Sequence, residues 1–341
     1  MRLCNHTAAG RSVTAAVLAV CMAAGMLLWT GCSSKMDAFG WYHDYTLARD
    51  EAQKKQKNML VFVSAFSDDE GKSTALRNVL GTKAFKQGAA SYVCVNLDFS
   101  SDQLSDKMNS KDSEKLMRKL MADQLVAAGL GVSETPSLFL TTKEGYMISE
   151  LDCSTLSAPE DCIGALEQTK PAQETMARMT AAAEQASGLE KAQAINELFD
   201  ATTPGARYPL GSLIKLYTQL DADNQTGQCG KFVLAAAEIT AKEALAAQDF
   251  QAAFDAFPAA AQSPYLNAGQ KQFAYYTAAN MYIQLESYDF DAIISNFQAA
   301  YDADPDSPSG EYLKNMITMA KNMKLQMTTA VEQPESQEDS R

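Results

Sequence analysis

Met59-Leu60-Val61-Phe62-Val63 is an unbroken apolar run, followed after two small residues by Phe66-Ser67-Asp68-Asp69-Glu70-Gly71-Lys72-Ser73-Thr74-Ala75-Leu76. The run suits a strand buried on both faces of a sheet that helices cover. The polar stretch opens a single amphipathic helix expected over 72–87, with Leu76, Val79, Leu80 and Phe85 on its apolar side. Upstream, Tyr45, Ala48 and Ala52 fall three and four apart, the stripe of a helix that ends near Lys57-Asn58. Downstream, a second apolar strand covers 92–97 and ends in Asp98. A charged segment, 100–114, then leads into a helix bearing Leu116, Leu120, Leu125 and Val126, which Gly129 and Gly131 terminate. Strands over 138–141 and 146–151 are joined by Lys143-Glu144-Gly145, and a helix over 159–168 opens on Glu160 and Asp161, which suit its N-terminal dipole. The order helix-strand-helix-strand-helix-strand-strand-helix predicts an α/β domain with one crossover unit and a terminal hairpin.

That order, with Trp41, Asp44, Ala48 and Ala52 before the first strand and Thr135-Pro136 before the third, resembles the thioredoxin-like superfamily over residues 38–170. The resemblance implies a cis proline at Pro136. Redox-active members carry Cys-x-x-Cys after an aromatic residue, where the helix N-terminus lowers the first thiol's pKa. Here Phe66 aligns with that aromatic, Ser67 and Glu70 occupy the two cysteine positions, and residues 54–93 contain no cysteine. A serine hydroxyl cannot exchange disulfides, so no dithiol chemistry is expected at this degenerate active site. Ser67 with Glu70 three residues on reads instead as a capping box, with Asp68 and Asp69 favourably placed in the first helical turn. The competing reading, a small acidic cluster for a divalent cation, lacks any identifiable distant ligand, and no metal is expected.

The N-terminus has the parts of an export signal: Arg2 and Arg11, an apolar run over 13–29, then small residues. Leu27-Leu28-Trp29-Thr30-Gly31-Cys32-Ser33-Ser34 resembles a bacterial lipobox, with Trp29 where the pattern usually has leucine. The resemblance implies a signal peptide over 1–31, acylation of Cys32, for which palmitate is one source of chains, and a tether over 32–40. An uncleaved N-terminal anchor is the alternative. Either one places the body outside the cytoplasm, attached to a lipid bilayer and periplasmic or surface-exposed. Loss of residues 1–31 removes two arginines and shifts the formal charge from −13 to −15. An acidic chain repels nucleic acid and anionic lipid alike, so neither is expected as a partner.

Besides Cys4, Cys21 and Cys32, the chain has Cys94, Cys153, Cys162 and Cys229. Their pairing is open, with a Cys153–Cys162 disulfide and buried free thiols as the two readings. His43 is the lone histidine after Cys32, and no serine elbow, phosphate-cradling loop or dinucleotide fingerprint occurs. No cofactor and no enzymatic activity are expected.

From residue 171 onward strand signals stop. Asp249-Phe250-x-Ala252-x-x-x-x-Phe257-x-Ala259-Ala260 recurs as Asp289-Phe290-x-Ala292-x-x-x-x-Phe297-x-Ala299-Ala300, a period of 40 residues. The spacing of Phe250, Ala253, Phe257 and Ala260 resembles the second helix of a tetratricopeptide hairpin, although Ile293 is bulky and Pro258 should kink its helix. A generic α-hairpin bundle is the alternative. A helical domain is expected over 171–330, with Tyr275, Tyr276 and Tyr282 either lining a groove or belonging to the core. An acidic disordered tail is expected over 331–341. The function expected is a scaffold or chaperone-like module that binds a protein partner. An envelope thiol-disulfide protein using Cys153 and Cys162 is the alternative.

Overall fold

The structure, a computed structural model, describes residues 36–64, 70–99 and 113–331. Cys32, Ser67 and the tail beyond Val331 lie outside the described residues, as do Asp68 and Asp69 of the expected capping box.

Helix α1 (Tyr45–Lys55) starts where the Asp44 carboxylate accepts a hydrogen bond from the Leu47 N–H at 3.0 Å. It buries Tyr45, Ala48 and Ala52. Strand β1 (Met59–Ser64) is buried along its whole length. Helix α2 (Glu70–Leu80) leads to a short α3 (Lys83–Gly88), then strand β2 (Val93–Asp98), helix α4 (Ser113–Gly129) and the hairpin β3 (Ser137–Thr141)–β4 (Met147–Leu151). A 3-10 turn over Cys153–Thr155 and helix α5 (Pro159–Gln168) complete this half. The strands form one mixed sheet in the order β2-β1-β3-β4. Strand β1 runs parallel to β2, with Val61 opposite Val95, and antiparallel to β3, with Val61 opposite Phe139.

Side chains alternate across a strand, and β1 divides itself between two apolar layers. Met59, Val61 and Val63 join Ala48, Ala52, Leu120 and Phe139 on one face. Leu60 and Phe62 join Trp41, Leu76, Phe85 and Leu166 on the other. The single helix expected over 72–87 is two. Gly81 sits against the Phe39 ring, where a Cβ would collide, and the Thr82 hydroxyl accepts from the Phe85 N–H at 3.2 Å to start α3 afresh. The break lets Phe85 turn inward and stack on Trp41, with ring centroids 6.2 Å apart.

The remaining described residues are helical: α6 (Lys170–Gln185), α7 (Gly188–Ala201), α8 (Gly211–Leu220), α9 (Cys229–Ala246), α10 (Phe250–Ala261), α11 (Ala268–Gln284), α12 (Phe290–Ala303) and α13 (Gly310–Val331). No linker separates the halves, because Thr169 ends α5 and also precedes the first residue of α6. Tyr146 of the β-hairpin lies in one cluster with Met176, Ile195, Tyr217 and Phe232, the last two stacked at 3.6 Å. From α9 on, each helix packs on the next.

The 40-residue repeat has a local cause. Asp249 and Asp289 both occupy N-cap positions, accepting from the Ala252 and Ala292 N–H groups at 3.0 Å. Phe257 and Phe297 are buried one helix apart, and α10 continues through Pro258. Tyr282 is core, stacked on Phe254 at 3.8 Å, and Tyr275 is half-buried, its hydroxyl accepting from the Gln262 amide. Among the three tyrosines only Tyr276 borders an open groove, beside Phe273 and Tyr312.

Removing Phe297, which is fully buried, should destabilise the helical half by about 3–5 kcal/mol when changed to alanine. Asp289→Ala should cost about 1 kcal/mol, the value of a cap. Denaturant unfolding of both variants ranks the two effects, and equal costs would contradict this packing.

Candidate functional site

Beyond the end of β1, the aligned dithiol positions precede or begin α2. The structure places one wall of a surface groove on that helix, at Leu76 and Val79. The opposite walls are the 133–137 segment and the turn from Glu150 to Ser157. The groove has a free volume of about 850 Å³. The Thr135–Pro136 peptide bond in its wall is cis. Ser133 and Glu134 are exposed, and among the described residues the N–H groups of Ser133, Glu134 and Thr135 have no backbone acceptor. Ser137 anchors this segment, its hydroxyl donating to the Glu134 carbonyl at 2.6 Å.

The ends of β1 and β2 are tied by polar contacts. The Ser64 hydroxyl lies 3.2 Å from an Asp98 carboxylate oxygen and 3.4 Å from the Asn96 amide oxygen. Arg77 of α2 bridges Asp98 at 3.5 Å and Asp37 at 3.7 Å. No sequence signal marks this arrangement, because its members come from four separate segments and each is an ordinary polar residue locally.

Cys153 borders the groove. Burial pushes its thiol up to about 12, while a hydrogen bond from the Leu138 backbone pulls it down. Cys162 is buried, and burial with the nearby Asp161 carboxylate pushes it up to about 11. In the structure Cys153 and Cys162 are both free thiols. Cys162 belongs to the apolar layer of Leu60, Phe62 and Leu166, Cys153 and Cys94 pack against that layer, and Cys229 is a further free thiol in the helical half. Cys94, in β2, is pushed up to about 12 by burial. A nucleophilic thiol needs the opposite shift. His43 is exposed, directly before the Asp44 cap, with no partner for catalysis among the described residues. No group of three or more metal-ligating side chains occurs among the described residues, and none of their helices is long and apolar enough to cross a membrane.

Comparison with known proteins finds similarity to uncharacterised proteins. A family model described as "Uncharacterised protein C-terminal domain" matches residues 229–326. An "Uncharacterized protein" of Treponema pallidum (strain Nichols) is 26% identical over 201 residues. The alignment covers 57% of this chain and 65% of that protein, so the chain spans just under two thirds of its relative. The family match opens on Cys229, the first residue of α9, and ends within α13. It therefore takes in the capped repeat and leaves the sheet and helices α6 to α8 outside.

The raised thiols set a pH dependence. Folding lifts these groups above their ordinary value of 9.0, so the folded state holds their protons more tightly than the unfolded chain. Their contribution to stability should be complete below pH 9 and fall away as pH rises toward 11–12. Equilibrium unfolding from pH 7 to 11 checks this. Alkylation of native Cys153 and Cys162 at pH 8 should be far slower than in denaturant, and fast native labelling of either would contradict the environment described.

Proposed function

We propose that this protein is a lipid-anchored lipoprotein of a bacterial envelope that binds protein chains and catalyses no reaction. In this reading the sheet domain is a thioredoxin-like frame without its dithiol, and the helical half is a tetratricopeptide-like stack. The β2-β1-β3-β4 order, with Pro136 directly before β3, supports the first assignment. The repeated Asp caps and buried phenylalanines of α10 and α12 support the second.

The observation that carries the reading is the groove beside Pro136. It has an apolar wall from α2, backbone N–H groups at residues 133–135 that have no backbone acceptor among the described residues, and a thiol that burial keeps protonated. Such a surface suits an extended chain, since backbone donors satisfy a strand-like segment while apolar pockets take alternate side chains. It does not suit disulfide exchange, because the attacking species is the thiolate. The same raised thiols weigh against the alternative of an envelope thiol-disulfide protein working through Cys153 and Cys162.

One assay separates these readings. With insulin and dithiothreitol, the protein should leave the rate of disulfide reduction unchanged and delay precipitation of the released B chain. Val79→Asp, in the groove wall, should abolish the delay while leaving the fold intact by circular dichroism. Faster reduction would overturn the non-enzymatic reading, and an undiminished delay in the variant would overturn the groove. Cys32→Ala should abolish acyl labelling in cells, and retained lipid would refute the anchor.

A further inference from the structure

We infer that the face formed by the end of α1, helix α3 and the 89–92 turn lies against anionic phospholipid headgroups. The inference rests on the proposed acylation of Cys32.

The first described residue, Met36, lines a groove together with Phe39, Lys55, Lys86 and Tyr92. In sequence it is only four residues beyond Cys32. Those four residues reach at most about 14 Å when fully extended. A body whose acylated residue is embedded in a bilayer is therefore held with this face at the headgroups, whichever way the rest turns. The face has the charge such a position needs. Lys83 and Lys86 lie three residues apart on α3 and are exposed, and among the described residues neither pairs with a carboxylate. Lys86 sits over the Phe39 ring at 5.5 Å. Lys57 donates to the Ala90 carbonyl, which leaves its charge uncancelled. Two carboxylates close to these lysines are engaged, Glu51 by Lys55 and Asp37 by Arg77.

The chain as a whole is acidic, at −13, and taken as a whole it would be repelled. Distance decides between the two effects. Charges beyond a Debye length of about 8 Å are screened at physiological salt, so a docked face responds to its own lysines. Each lysine at an anionic surface is worth about a fivefold gain in affinity. Phe39 and Met36, both half-buried, add apolar contact beside these charges.

The experiment uses the full chain, placed in vesicles of phosphatidylcholine with or without phosphatidylglycerol and, for comparison, in nonionic detergent. A water-soluble amine reagent labels the lysines, and mass spectrometry reads each site. Lys55, Lys83 and Lys86 should be labelled several-fold more slowly in the anionic vesicles than in detergent, while Lys215, Lys242 and Lys314 on the helical half keep their rates. The protection should vanish in 1 M salt, where the screening length falls to about 3 Å. Lys83→Glu with Lys86→Glu should remove the protection at Lys55 without releasing the chain from the vesicles. The same spectra report lipid on Cys32. A lipidated chain whose three lysines react equally in anionic vesicles and detergent overturns the docking face and leaves the anchor standing, whereas a chain without lipid on Cys32 overturns the anchor on which the face depends.

Discussion

Everything in the sheet half depends on β1. All of its residues from Met59 to Ser64 are buried, and it pairs on both edges, so none of its backbone or side chains meets water along the run. Burying a large apolar side chain contributes roughly 1.5–3 kcal/mol, and β1 does so toward both faces at once. Its odd-numbered residues hold α1 and α4, and its even-numbered residues hold α2, α3 and α5. A slip of one residue would exchange the two sets. Both layers are apolar: Phe62 meets Trp41 edge-on at 6.2 Å on one side, while Val61 shares a cluster with Ala48, Ala52 and Phe139 on the other.

The helical half starts from the same sheet. Tyr146 and Ile148 project from the β-hairpin into a cluster with Met176 and Ile195, so α6 and α7 have the sheet as their first packing partner. Helix α9 also touches α4. The first helices beyond residue 170 thus complete a surface that the sheet domain leaves apolar. Beyond α9 the partners change. Helices α10 to α13 pack on one another around Phe257 and Phe297, and this is where the family match lies. The stretch covered by the family model is the part whose packing is repetitive.

What the sequence makes legible follows from how local the causes are. The apolar run of β1 and the helix opening at Pro159 are decided by a few neighbouring residues and appear where they are expected, and the 40-residue repeat expected from Asp249 and Asp289 has its local cause in their caps. The break at Gly81-Thr82 is not legible, because its reason is the Phe39 ring some 40 residues away. The side chains of Tyr275 and Tyr282 read equally well as groove or core until Gln262 and Phe254 are placed beside them. The candidate groove is a product of three segments distant in sequence, of which the Thr135-Pro136 wall alone has a motif. The thiols illustrate the same limit: spacing permits a bond between Cys153 and Cys162, and only their packing with the apolar layer of Leu60, Phe62 and Leu166 shows them as inert side chains.

The edge strand β2 connects these observations to the proposed anchor. An open edge presents unpaired backbone groups and invites pairing with another chain. Here residues 36–42 cover part of it: the Tyr42 N–H donates to the Cys94 carbonyl at 2.9 Å, and the Asn96 N–H donates to the Tyr42 carbonyl at 2.8 Å. Trp41 and Tyr42 are buried beside these bonds. Residues 36–42, the described segment nearest Cys32, are therefore part of the fold, closing the sheet before α1 begins. A body tethered through a long free linker would sample all orientations above a membrane. One whose tether emerges from a hydrogen-bonded edge, next to a buried tryptophan, transmits its attachment directly into the sheet. In the proposed reading, the groove beside Pro136, on the far side of β1 from that edge, remains as the surface offered to other chains.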